Sequence, residues 1–318
     1  MNLHNRLLHR IANPAPLPGC RLIQPGHSAQ STGLACRVVE NSPIEAAAFV
    51  ENVAYGSDGT TRVDLGCDWP AMLDGLCELG ELLVITRNES AVIAKRMPYP
   101  MLHHDSQDDL AVDDSGDFDV DFDAWSSAFA RHERTENGNV FKVEFLDAAQ
   151  HAFHAVVLTP DASVDAFTEW VRMHQARISW KRRKCTCRLP ESELAFVEGT
   201  GDLKVKANAL LPLLEVVVHE KLPIRAIVGN AGMVQGHRYT PKNVRQTGTR
   251  IYCSSDTTAL HFETRDIDRV TAQSVELGNH PCWILRAHRP DGRPLFLIAP
   301  TTCASLPTWN KLVLAHAI

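Results

Sequence analysis

The sequence predicts an α+β protein, a tandem repeat of two antiparallel-sheet-plus-helix units related by a pseudo-twofold. Three observations predict it. The chain repeats its own pattern at a displacement of 142 residues; each copy opens on an apolar helical segment with a proline just inside it; and short apolar runs separated by polar turns then follow in the same order twice. At 318 residues, 44% hydrophobic and 22% charged, the chain has material for two globular units with real cores.

Pro70 falls on Pro212, in the segments Trp69 to Leu79 and Leu210 to Val218. Proline suits a first helical turn, where its missing N–H costs nothing. Glu81 to Arg87 then falls on Pro223 to Gly229, two strand-like runs, and Asn88 on Asn230, each beginning a polar turn before Ala91-Val-Ile and Met233-Val-Gln. Phe118-Asp-Val-Asp-Phe122 alternates with period two and lands on Leu260-His-Phe-Glu-Thr264, which sets Asp119 over His261. Val140 to Phe145 lands on Cys282 to Ala287, each followed by a turn and a last strand, Ala152 to Leu158 and Pro294 to Ile298. Each copy ends in a helical piece, around Trp170 or Trp309. The expected organisation is an N-terminal extension over 1–65, repeat 1 over 66–174, a linker over 175–208 and repeat 2 over 209–318. In the extension, Ser42 as N-cap, Pro43 and Glu45 predict a short helix over Ser42 to Val53. Each copy reads as a helix, an antiparallel meander and a closing helix, with a cleft between copies as the natural place for a ligand.

A formal charge of −6 and a pI near 6.2 give no general attraction to nucleic acid or acidic membranes. The nine cysteines are scattered without a CxxC, so reduced thiols are expected rather than a zinc site or a disulfide framework. Residues 1–19 lack an apolar core for a signal peptide, and Pro212, Glu215 and His219 break the best apolar run. The expectation is a cytoplasmic protein without membrane insertion. Nine aspartates between Asp105 and Asp123 read as a solvated acidic loop, since a calcium loop begun at Asp113 needs Glu where Ala124 stands. The basic run Trp180 to Lys184 reads as a solvated stretch of the linker.

Asp68-Trp-Pro-Ala-Met-Leu followed by Leu79-Gly-Glu-Leu-Leu-Val-Ile-Thr-Arg-Asn-Glu-Ser-Ala-Val92 resembles the first repeat of the HemS/ChuX family of haem-utilisation proteins. In the second copy, Lys204-Val-Lys-Ala-Asn-Ala-Leu210, Val228-Gly-Asn-Ala-Gly-Met-Val-Gln-Gly-His237 and Leu260-His261-Phe262 resemble that family's second repeat. The resemblance covers about residues 60 to 318, and the family is itself a tandem repeat. It implies a cytoplasmic protein that binds haem and passes it on in iron acquisition, or supports its breakdown, with a haem importer or a haem oxygenase as partner. Any haem-degrading activity is implied by the resemblance alone. The alternative from another class is a non-haem interaction or regulatory protein that keeps the scaffold.

The resemblance also marks departures. A family histidine after Ala-Val corresponds to Ile93, a family arginine thought to face the haem corresponds to Asp119, and the family's axial histidine falls on Ser179. His174, five residues upstream, is about 140° around a helix from Ser179. Two histidines do match family positions, His237 and His261, and these are the candidate haem and iron ligands, since imidazole is the commonest strong protein ligand for haem iron.

Overall fold

Asp68 starts the first described helix, α1 (Trp69–Leu76), its carboxylate accepting from the Ala71 N–H with Pro70 in the first turn. The computed structural model describes residues 61–105, 110–135, 138–175, 203–277 and 280–318. The expected helix over Ser42 to Val53, Ser179 and the basic run at Trp180 to Lys184 lie outside the described residues. Met72, Leu73 and Leu76 fall on one face of α1 and are buried to 1% exposure or less, at roughly 1.5–3 kcal/mol of stabilisation each. The second copy repeats the device with α3 (Leu210–His219), where Leu213, Leu214 and Val217 are fully buried.

Repeat 1 runs through β1 (Thr61–Asp64), α1, β2 (Glu81–Arg87), β3 (Ala91–Pro98), β4 (Leu102–Asp105), β5 (Leu110–Asp113), β6 (Phe118–Asp121), β7 (Ser127–Thr135), β8 (Gly138–Leu146), β9 (Ala152–Leu158) and α2 (Val164–His174). Repeat 2 follows with β10 (Leu203–Val205), α3, β11 (Ile224–Gly229), β12 (Met233–Tyr239), β13 (Asn243–Thr247), β14 (Arg250–Ser254), β15 (Thr258–Glu263), β16 (Arg269–Leu277), β17 (His280–His288), β18 (Pro294–Pro300) and α4 (Leu306–Ala315). The first and tenth strands lie ahead of the expected starts of the two repeats.

All strand pairs are antiparallel, in two nine-stranded sheets. Sheet 1 has the order β1-β7-β8-β9-β2-β3-β15-β14-β13 and sheet 2 the order β10-β16-β17-β18-β11-β12-β6-β5-β4. The orders are the same once 142 is added, and even the bulge between Phe145 and Leu146 recurs between Ala287 and His288. The expected self-contained meander is corrected here: three strands of each repeat cross over and complete the sheet of the other. The crossing strand β6 pairs with β12, placing Asp119 opposite Val234, and its counterpart β15 pairs with β3, placing His261 opposite Val92. Asp119 and His261 therefore hold equivalent register positions, as the period-two alignment requires.

Two asparagines fasten the exchange. Asn88 accepts from the N–H groups of Ser90 and Ala91 and donates its amide to the carbonyls of Gly229 and Leu295 in the other repeat. Asn230 accepts from Gly232 and Met233 and donates to Arg87 and Phe153. Every bond in one set has its counterpart 142 residues away in the other.

Candidate functional site

Cross-strand partners share a sheet face, so the registers divide each sheet into an inner and an outer side. On the inner side of sheet 1 the row Phe145–His154–Thr86–Ile93–Leu260 runs across the strands; on that of sheet 2 runs its counterpart, Ala287–Phe296–Val228–Gln235–Phe118. The two inner sides meet, and Thr86 hydrogen-bonds Gln235 directly at 2.5 Å. The outer sides therefore face away from each other.

His237 lies in this inner layer with no exposure. Gln235 donates its amide to His237 Nε2 at 2.7 Å, which leaves the proton of the neutral ring on Nδ1. That nitrogen faces Asp117 Oδ2 at 3.6 Å and Lys95 Nζ at 3.4 Å. Burial pushes the His237 pKa down to about 4, against the raising pull of Asp117. Burial alone would raise Asp117, but the His237 hydrogen bond and the charges of His237, Arg225 and Lys95 outweigh it and hold the carboxyl below its usual range. Burial also lowers Lys95. Both ring nitrogens of His237 are thus occupied, and iron ligation there requires giving up one of these contacts.

His261 lies on the outer side of sheet 1 with 2% exposure, between Val92 and Tyr252, whose ring meets the imidazole edge-on at 5.4 Å. The neighbouring row on that side is Phe129–Glu144–Ala155–Ile85–Ala94–Ala259. Leu83, Ile85, Val92, Ala94, Ala155 and Val157 form one buried apolar cluster. Cations stand at its margin: Arg131 is held by Glu144 at 2.9 Å, and the fully buried Lys142 by Glu133 at 3.0 Å and Glu144 at 3.4 Å. The two candidate histidines are therefore placed on different sheets and in different layers. Among the described residues no group of three or more His, Cys, Asp and Glu side chains is arranged to hold a bare metal ion.

The departures from the family pattern resolve by layer. Ile93 is a fully buried member of the inner core, at the repeat position of Gln235, and packs where the family histidine would stand. Asp119 lies on the outer side of sheet 2 with 3% exposure. That side carries the apolar cluster of Ile227, Val234, Ile284, Leu297 and Ala299, together with Arg225 and Arg286. Arg225 crosses Gly236, where a Cβ would come within 3.2 Å of its Nε, and reaches Asp117 at 3.0 Å.

Sequence reasoning missed a buried polar chain joined to His237. Tyr99 donates to His154 Nε2 at 3.2 Å, and His154 Nδ1 meets Thr86 Oγ1 at 3.0 Å. Thr86 donates to Gln235 Oε1, and Gln235 to His237. Thr86 closing the apolar run Leu82 to Ile85, and His154 inside the run Ala152 to Leu158, were the available signal.

A haem site needs an apolar slab, a ligand for iron and nearby cations. The outer side of sheet 1 has residues that fit that description in kind, with His261 as the imidazole. Residues 45–174 match the family model described as haemin-degrading HemS.ChuX domain. Among solved structures, holo-PhuS, a haem-binding protein from Pseudomonas aeruginosa, aligns with a TM-score of 0.68 at 21% identity, covering 81% of this chain and 87% of that one. ChuS, a haem oxygenase of E. coli, aligns with a TM-score of 0.67 at 17% identity, covering 86% of this chain and 92% of that one. At such identities the likeness establishes a shared fold. No protein of curated function matches the chain in sequence. Among the described residues no helix is long and apolar enough to cross a membrane.

Proposed function

We propose that this chain, a divergent tandem-repeat relative of the HemS/ChuX proteins, binds haem and hands it on in haem-iron acquisition, in the cytoplasm, with a haem importer or a haem oxygenase as partner. The observation that carries this reading is an imidazole, His261, set in an apolar sheet face of a fold that PhuS and ChuS share. His261 would supply the axial nitrogen, the cluster around Val92 would take the macrocycle, and Arg245 and Arg87, which end the cross-strand row Arg245–Tyr252–His261–Val92–Arg87, are the nearer candidates to answer propionates. His237 is the second candidate ligand, at the cost of its bond from Gln235 or its contact with Asp117.

Haem bound there would supply one-electron and oxygen chemistry; the chain itself would bind, orient and exclude water. The test is titration of the protein with ferric haem followed by absorbance. Wild type should show saturable binding with the spectrum of an imidazole-ligated iron, His261→Ala should lose that spectrum, and His237→Ala should keep it. A spectrum lost only in His237→Ala moves the ligand to the inner layer. Absence of saturable binding by wild type overturns the reading in favour of an interaction or regulatory protein on the same scaffold.

A further inference from the structure

Where the two repeats meet, the polar chain has a single direction. Gln235 uses its amide protons on His237 and its oxygen on Thr86, so the Thr86 hydroxyl donates toward Gln235 and accepts from His154 Nδ1. His154 Nε2 is then a bare acceptor, and the proton it faces at 3.2 Å is the hydroxyl of Tyr99. Tyr99 is 2% exposed and His154 1%. A buried phenol aimed at a neutral imidazole has a base within hydrogen-bond reach to take its proton.

The surroundings are aromatic and continuous. The His154 ring lies 5.9 Å from Tyr99, 5.6 Å from Phe145 and 6.1 Å from Trp125. Trp125 in turn lies 5.8 Å from Trp69, whose 8% exposure makes it the more accessible of the two tryptophans. Repeat 2 has Phe296 at the His154 position and Val228 at the Thr86 position, so packing the fold does not itself require these polar groups. The other described tyrosines differ: Tyr239 donates to the carbonyl of Cys253, and the Tyr252 hydroxyl accepts from the Arg250 guanidinium at 3.5 Å.

We propose that Tyr99 and His154 form a proton-coupled one-electron redox site, with Trp125 and Trp69 as the path to the surface. A one-electron oxidant, such as a high-valent metal complex, takes an electron from the Tyr99 phenol through the tryptophans and is reduced by one unit. The phenolic O–H bond breaks, its proton forms an N–H bond at His154 Nε2, and a neutral tyrosyl radical faces an imidazolium. The imidazolium keeps its Nδ1–H on Thr86 and its new Nε2–H on the phenoxyl oxygen. Return of an electron reverses the proton transfer. Burial holds the His154 pKa down to about 3, with a backbone contact at Ile85 pulling the other way, so the proton returns readily.

This inference does not rest on the haem reading, and its test uses no haem. The full chain is photo-oxidised with a ruthenium(III) polypyridyl complex, generated from the ruthenium(II) form with a sacrificial acceptor, frozen, and read by electron paramagnetic resonance. Wild type should give a tyrosyl signal. Tyr99→Phe, which removes one oxygen atom, should lose it, and Tyr252→Phe should keep it. His154→Gln retains an acceptor for the phenol but not a base, and should also lose the signal while circular dichroism shows the fold intact. A tyrosyl signal of wild-type intensity in Tyr99→Phe, or in folded His154→Gln, overturns the assignment.

Discussion

His237 and His154 show how much burial decides at single residues. Both sit in the layer between the sheets with pKa values lowered to about 4 and about 3, against an ordinary value near 6.5. A histidine whose folded pKa lies below its unfolded one binds its proton more readily when unfolded. Its contribution to stability is complete above about pH 6.5 and is lost as pH falls toward the folded value. Between about pH 6 and pH 4 two such groups steepen the loss toward ~2.7 kcal/mol per pH unit. Urea unfolding at pH 7 and pH 5 should show this loss, and His154→Gln or His237→Gln should flatten it; a wild type equally stable at both pH values contradicts the assignment. Asp119 makes a second case. It shares a register position with His261 but lies on the outer side of the other sheet, so a ligand held at His261 does not meet it. Haem affinity of Asp119→Asn should stay within about twofold of wild type, a difference of ~0.4 kcal/mol. A tenfold gain would place haem on the outer side of sheet 2.

Elements repeat more faithfully than residues. The helices at Trp69 and Leu210, the turns at Asn88 and Asn230 and the strands β2, β3, β6, β8 and β9 with their repeat partners were legible in the sequence, because apolar periodicity, Pro70 with Pro212 and Asn88 with Asn230 are local signals kept at one spacing. The exchange of β4–β6 and β13–β15 was not legible, because period two fixes which face of a strand is apolar but not which sheet it joins. The polar chain was invisible for a related reason: Thr86 and Gln235 are 149 positions apart, and neither segment alone carries a sign of the other. That His237 and His261 lie on strands of the second copy was legible, while their separation into inner and outer layers depended on the exchange. The asparagine turns give the element-scale prediction. Asn88→Ala removes two bonds within its turn and two to repeat 2, a loss of about 2–4 kcal/mol at ~1 kcal/mol per bond. Asn230→Ala should cost a similar amount by urea unfolding, and a change below 0.5 kcal/mol at either site, about half of one bond, contradicts a fastening role.

At the scale of the whole molecule, each repeat leaves three strands that only the other can cover. A fragment of residues 61–175 should therefore be unfolded or self-associated by light scattering, and mixing with 203–318 should restore a 1:1 species. A stable monomeric fragment contradicts the exchange. The same architecture gives the chain two outer faces, of which only that of sheet 1 carries His261, and the functional reading depends on that face. An anomalous difference map at the iron edge, from crystals grown with haem, tests it most directly. One iron peak is expected beside a His261 ring nitrogen, over the face that carries Val92 and Ala94; no iron peak, or a peak bonded to His237 or to the outer side of sheet 2, contradicts haem binding at that face.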